Sequence, residues 1–254
     1  MNTGHRRHQV AYYYAMAAVG FWATSATAFK LSLGQVGQLP LLLVASVTST
    51  VAFFAYLAAT GRLRLLRAFT KRDYLWSAGL GLLNPFLYYV ILFQAYSLLP
   101  AQEAQPINFV WPLTLVLLSI PLLGQRIRLL SILAILISFT GVLVIATHPA
   151  QPADILALHF SSGPGVLLAL GSTIIWALFW VVNTRDRHDE AVRLFVNFLF
   201  ASAYILILSL LLGQARVGNW QGLLGGIYIG LFEMGITFLV WLKASGAPRP
   251  PPTW

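Results

Sequence analysis

Gly79-Leu80-Gly81-Leu82-Leu83-Asn84-Pro85-Phe86-Leu87-Tyr88 and Tyr228-Ile229-Gly230-Leu231-Phe232-Glu233-Met234-Gly235-Ile236-Thr237 read as two copies of one apolar helix. The register runs on through residues 79–98 over 228–247, with Ala95 over Ala244. It sets Asn84 on Glu233, Tyr88 on Thr237 and Gln94 on Lys243. A second pair, Trp22-Ala23 over Trp176-Ala177, lies at nearly the same offset. Two apolar halves roughly 150 residues apart point to the internal repeat of a small membrane carrier.

Composition sets the class. The 254 residues are 58% hydrophobic and only 9% charged, with mean hydropathy +0.76. A soluble domain carries about a quarter of its residues charged. A membrane crossing needs about 20 apolar residues, and eight stretches meet that length, near 10–31, 39–60, 73–98, 101–123, 128–147, 164–183, 192–213 and 220–244. The expected fold is therefore an all-α, polytopic integral membrane bundle of about eight transmembrane helices. Arg6 and Arg7 ahead of the first stretch mimic a signal peptide. Its apolar run is long enough to span, however, and cleavage would remove the tryptophan that the repeat matches.

The net charge of +9 is an orientation signal and not a nucleic-acid surface. With the N-terminus inside, all of the 16 Lys and Arg except Lys30 and Arg216 fall in cytoplasmic segments, as short loops require. Both termini are then cytoplasmic and His148–Gly163 is outside. Five spans precede that loop, so the second copy starts from the opposite face and the repeats are inverted. The first repeat covers 1–148 and the second 149–245. The second has three spans where the first has five, because the next segment is Gly246-Ala247-Pro248-Arg249-Pro250-Pro251-Pro252-Thr253-Trp254, and consecutive prolines cannot continue a helix. The expectation is that 246–254 is foreign to the fold through truncation or a frameshift. A natural eight-span protein with a short tail is the alternative.

The chain resembles the EamA-type carriers of the drug/metabolite transporter superfamily. The likeness rests on Trp22-Ala23, the Gly81…Ala95 helix, the Pro100–Pro112 stretch, Gly124-Gln125-Arg126 and Gly141-Val142-Leu143-Val144. It departs at Gln125, where the family commonly has Glu. Asn108-Phe109-Val110-Trp111-Pro112 is similar to a run in the aromatic-amino-acid exporter branch. The resemblance implies a ten-helix bundle of two inverted five-helix repeats around a central cavity, and export of a small metabolite.

Intramembrane polar residues mark the candidate site. Glu233 lies roughly 18–20 Å from either end of its span at 1.5 Å per residue. A carboxylate is costly in lipid, so it should face the bundle interior, protonated or paired. It can hold a substrate ammonium group or a coupling proton; a neutral, hydrogen-bonded acid between helices is the other reading. Asn84 lies at equivalent depth, with Tyr88 on the same face. Gln105, Asn108 and Pro112 share a face of the fourth span, beside Trp111. This set suits a zwitterionic or aromatic metabolite, although interhelical amide ties are common in membranes. Thr173, Trp176, Trp180 and Asn183 form one stripe, either packing or cavity wall, and Trp22 matches Trp176. The expected substrate-binding set is Trp22, Asn84, Tyr88, Gln105, Asn108, Trp111, Trp176, Trp180 and Glu233. Pro106 and Pro112 favour a bend in the fourth span, and Pro85 does so in the third. Trp76, Trp220 and Trp241 fall near span ends, where interfacial anchoring is usual.

Cysteine is absent, which removes disulfide and thiolate chemistry. The five histidines fall in loops or tails without metal-ligand spacing. No glycine-rich phosphate loop follows a strand. Neither enzyme activity, cofactor nor metal is expected. The expected partners are a small-molecule substrate and the lipid bilayer, with no nucleic acid and a homodimer left open. The expected place is the inner (plasma) membrane. The competing reading is a truncated or half-transporter without activity of its own.

Overall fold

The computed structural model describes the backbone of residues 3–125, 129–147, 160–183, 188–216 and 218–245, and the side chains of the same residues except 3–8, 129 and 245. The loop 148–159, Arg126, Arg128, Arg185, Asp186, Arg187, the side chains of Arg6 and Arg7, and the Pro-rich 246–254 lie outside the described residues. Eight long helices follow in order: α1 Thr3–Leu33, α2 Gln38–Ala59, α3 Lys71–Leu98, α4 Ala101–Leu123, α5 Leu129–Thr147, α6 Gly163–Asn183, α7 Glu190–Leu211 and α8 Trp220–Ala244. Those from α2 onward supply seven helices long and apolar enough to cross a membrane. The eighth expected span, α1, is 31 residues long but less apolar, because Tyr12, Tyr13, Tyr14, Thr24, Ser25 and Thr27 dilute it. The protein is a polytopic helical membrane bundle.

Local chemistry sets the helix ends. The Thr70 hydroxyl accepts from the Asp73 amide at 3.3 Å while the Asp73 carboxylate accepts from the Thr70 amide at 2.7 Å, a reciprocal cap that starts α3. Asp189 caps α7, accepting from the amides of Ala191 and Val192, and pairs with Arg62 at 3.0 Å. Asp189 thus ties two connections together. Asn219 caps α8 through the Gly222 amide at 2.7 Å. Gly124, at φ 67°, closes α4 in the left-handed conformation that glycine adopts freely.

Three helices are interrupted. In α4 a turn at Phe109 and Val110 separates Ala101–Asn108 from Trp111–Leu123, between the two prolines that withhold amides from the ladder. In α3 and α8 the helix widens over Leu82–Leu87 and Gly230–Gly235. Within the first wide turn Asn84 leaves helical angles for φ −146°, ψ 125°, and the Asn84–Pro85 bond is cis.

At the centre α2 packs on α7, joined by Ser46 and Thr50 to Ser202 at 2.8 and 3.0 Å. The wide turn of α3 lies on α7 and that of α8 on α2. A Cβ on Gly81 would strike the Asn197 carbonyl, and one on Gly230 would come within 2.5 Å of the Ala45 carbonyl, so glycine admits the neighbouring backbone at both turns. The second half of α3, Tyr88–Leu98, packs on α6, α1 packs along α8, α4 covers α6, and α5 lies against α4 at the edge. The exposed side chains of α5, such as Leu130, Leu136 and Ile137, suit hydrocarbon rather than water.

Candidate functional site

Five helices meet where α3, α4 and α8 are interrupted. Around that point Trp22 and Ser25 of α1, Tyr88 and Tyr96 of α3, Gln105, Asn108 and Trp111 of α4, Trp176 of α6 and Glu233 of α8 line one cavity of about 20 Å³. That holds about one water molecule, far below the roughly 300–1,000 Å³ of small-molecule sites. The conformation is closed around its polar centre. A larger groove of about 930 Å³ between α1 and α8 lacks Glu233 from its walls and is bordered by exposed Leu31 and Leu224.

Glu233 is 6% exposed. Ser25 Oγ donates to its Oε2 at 2.5 Å and Tyr89 Oη to its Oε1 at 3.2 Å. Charge-assisted donors of this kind stabilise a buried carboxylate without a cation beside it. The wide turn beneath it frees backbone carbonyls, since a widened turn shifts each amide past its usual acceptor. Side chains satisfy them: Ser49 donates to the Gly230 carbonyl at 2.8 Å, Trp22 Nε1 to that of Glu233 at 3.3 Å, and Thr237 to that of Phe232.

The amides of α4 tie helices together. Gln105 donates to the Trp22 carbonyl at 3.1 Å, and Asn108 donates to Ser172 Oγ at 3.0 Å while accepting from Tyr88 Oη at 3.3 Å. A cluster of tryptophans forms one wall. Trp22 stands edge-on to Trp111 and Trp176 with centroids 6.3 and 6.2 Å apart, and Trp111 meets Trp176 at 5.9 Å. Trp241 completes the cluster, 5.4 Å from Trp22 and 5.9 Å from Trp111. Trp241 is therefore part of the interior and not the interfacial anchor that its place near a span end suggested. Trp76 and Trp220, at 51% and 67% exposure, do sit on the outer surface.

Of the nine expected site residues, Trp22, Tyr88, Gln105, Asn108, Trp111, Trp176 and Glu233 meet at the cavity. Trp180 stands behind the wall, 5.9 Å from Trp176 and 6.0 Å from Phe238. Asn84 is fully buried in the α3 wide turn and does not line the cavity. Neither of its amide atoms has a hydrogen-bond partner among the described residues, and the same holds for Trp176 Nε1, Trp180 Nε1 and Asn183 Oδ1. Ser25, Tyr89 and Trp241 were not in the expected set. Ser25 lies one turn beyond Trp22, and that spacing was the signal available. No group of His, Cys, Asp or Glu among the described residues is arranged to hold a metal ion.

A closed polar centre, walled by aromatic rings and buried within membrane-length helices, is an arrangement that a membrane transporter requires. Residues 9–147 and 163–245 match the EamA-like transporter family, and the chain belongs to it. It is similar to the aromatic amino acid exporter YddG of Ancylobacter novellus, at 26% identity over 229 residues, which cover 88% of this chain and 75% of that protein. It is also similar to the uncharacterized transporter YvbV of Bacillus subtilis, at 27% over 225 residues, 86% of this chain and 70% of the relative. A solved crystal structure with 24% identity shares the fold at a TM-score of 0.68, over 96% of this chain and 79% of its own.

Proposed function

We propose that this protein is an inner-membrane secondary exporter of a small amine-bearing metabolite, an amino acid with an aromatic side chain being the best fit. Glu233 carries this reading. Among the described residues its two oxygens meet only neutral hydroxyl donors, Ser25 and Tyr89, so an arriving ammonium group or proton supplies the missing positive charge. The surrounding tryptophans offer edge-to-face contact to an aromatic ring and a cation–π surface to its ammonium. The relative named as an aromatic amino acid exporter supports the same substrate class.

Alternating access of two inverted repeats, residues 1–148 and 149–245, supplies the mechanism. Exchange α1 with α6, α2 with α7 and α3 with α8, and the packing pairs map onto one another: α3 on α7 becomes α8 on α2, and α1 on α8 becomes α6 on α3. The family match also falls in two stretches, one in each half. The cavity of about 20 Å³ admits no amino acid, so solute enters only when the halves rock apart. Proton and ammonium competing for one carboxylate would couple their movements. The distribution of Lys and Arg supports cytoplasmic termini.

The test is counterflow of radiolabelled phenylalanine, tyrosine and tryptophan into proteoliposomes holding the 254-residue chain. The expected result is accumulation that unlabelled amino acid inside the vesicles drives and that Glu233→Gln abolishes. Absence of counterflow in the reconstituted chain, or an unchanged rate in Glu233→Gln, overturns the reading. Orientation is checked in the cysteine-free chain by Ala157→Cys, expected to react from outside whole cells; reaction only from the cytoplasmic face reverses the topology.

A further inference from the structure

Among the described residues, five buried side-chain polar atoms without a hydrogen-bond partner belong to α3 and α6, and Ser209 Oγ of α7 is another. Asn84 and Asn183 are 0% and 3% exposed and Trp176 3%. The two Asn84 amide atoms, both indole N–H groups of Trp176 and Trp180, and Asn183 Oδ1 all lack partners among the described residues. Each such group costs about 1–3 kcal/mol when left unpaired in an apolar interior. Trp176, Trp180 and Asn183 follow one another at i, i+4 and i+7 on α6, a single face, and the wide turn carrying Asn84 packs against α6. The α6 row runs from the cavity wall at Trp176, 4.7 Å from the Tyr88 ring of α3, past Trp180, 6.0 Å from the Phe238 ring of α8, to the last described residue of α6.

The opposite side differs. At the repeat offset, the counterparts of Trp176, Trp180 and Asn183 on α1 are Trp22, Ala26 and Phe29. Trp22 Nε1 has its acceptor in the Glu233 carbonyl, and Ala26 and Phe29 have no polar side-chain atom to satisfy. Packing alone does not require polar groups on α6, since alanine and phenylalanine fill the equivalent places on α1. Polar atoms unpaired in the closed form are satisfied when water or a polar solute passes.

We propose that the half-channel between the Glu233 cavity and the membrane face at which α6 ends follows this face of α6, with the wide turn of α3 and Phe238 of α8 beside it, lined by Asn84, Trp176, Trp180 and Asn183. This deepens the reading of the chain as a carrier and rests on it. The lining is neutral and offers both donors and acceptors, so it matches a dipolar solute or its hydration shell and repels neither end of a zwitterion. Trp176 closes the half-channel at its inner end, where it already forms part of the cavity wall.

The chain has no cysteine, so single cysteines report water access cleanly. Asn183→Cys and, one turn deeper, Trp180→Cys are exposed in proteoliposomes to a membrane-impermeant thiol reagent. The reference is Arg64→Cys, in the exposed connection Arg62–Ala68 on the same face. A half-channel open in about 1–10% of molecules makes both residues react about ten- to a hundredfold more slowly than the reference. Val181→Cys, buried at 1% exposure and about 100° around α6 from Trp180, is expected to stay unreactive. Silence at Asn183 and Trp180 beside a reactive reference overturns the route. Equal reaction at Val181 overturns it too, since the end of α6 would then be fraying. The labelling does not depend on which solute is carried. Reactivity at both sites without amino-acid counterflow leaves the route standing and refutes the substrate; counterflow with both sites silent does the reverse.

Discussion

The wide turns of α3 and α8 are the same device built from different residues. Each begins at a glycine, Gly81 or Gly230, pressed on a backbone carbonyl of the other half, Asn197 or Ala45. In α3 the ladder is broken by Pro85, which has no amide to give. No proline lies in the α8 turn, where Gly230 and Gly235 flank the widened stretch and the freed carbonyls are taken by Ser49, Trp22 and Thr237. The chemistry at the centre of each turn diverges further. Glu233 holds two hydroxyl donors, and Asn84 holds none among the described residues. At the offset of the proposed repeat, the residues corresponding to Ser25 and Tyr89 are Phe179 and Phe238, which carry no hydroxyl. Geometry is shared by the two turns while the polar partners are specific to one, so backbone interruption and solute chemistry can vary independently.

The largest effect is expected at Glu233. Glu233→Gln keeps the shape and removes the charge that an ammonium group would meet. Breaking a buried charge pair costs about 3–5 kcal/mol, so counterflow of an amine-bearing solute should fall at least about a hundredfold. Membrane insertion should be unchanged, checked by size-exclusion profile and helical circular dichroism. If Asn84→Ala is equally damaging and Glu233→Gln is mild, the functional assignment of the two turns is reversed.

Next come the glycines. A Cβ at Gly230 meets the Ala45 carbonyl at 2.5 Å and the Thr48 Cβ at 2.7 Å, whereas one at Gly79 meets nothing within 4 Å. Gly230→Ala and Gly81→Ala should each destabilise by about 1–3 kcal/mol through overpacking. Gly79→Ala should be neutral or stabilising by up to about 1 kcal/mol from helix propensity. Reversible unfolding in mixed micelles measures all three. A large loss for only one of Gly81 and Gly230 would show that the two turns do not bear equally on the α2–α7 core.

Much of this was legible before any coordinates. Length and hydropathy mark the helices, and one register sets Asn84 on Glu233, the positions at which both turns widen. Pro85, Pro106 and Pro112 announce the breaks in α3 and α4, because a missing amide is written in the residue itself. The α8 break is silent in sequence: its cause is close packing on α2, which glycine permits and does not encode. Trp241 reads as an anchor when depth is counted from the span end, and only the inward face of α8 brings it to Trp22. Tyr89 follows Tyr88 by about 100° around the helix, so placing one in the site argues against the other until α8 supplies Glu233 beside it. Ser25 passes for a small packing residue for the same reason.

The smallest effects should separate the two turns most finely. Ser25→Ala leaves the Glu233 carboxyl one donor short in a buried place, which costs about 1–3 kcal/mol of stability. Asn84→Ala removes an amide that has no partner in the closed form. The small void it leaves costs little, and the relief of two unsatisfied atoms offsets that, so the net change should be under about 1 kcal/mol. Transport should still weaken, because the same amide serves the open half-channel, and the pH dependence of transport should stay as in the parent, since an amide does not titrate. Ser25→Ala should shift that pH dependence, because it alters the donors on the acid itself. Unfolding in micelles and counterflow across pH read both variants side by side. If Asn84→Ala destabilises as much as Ser25→Ala, the Asn84 amide has partners in the resting form, and the polar asymmetry between the two turns does not exist.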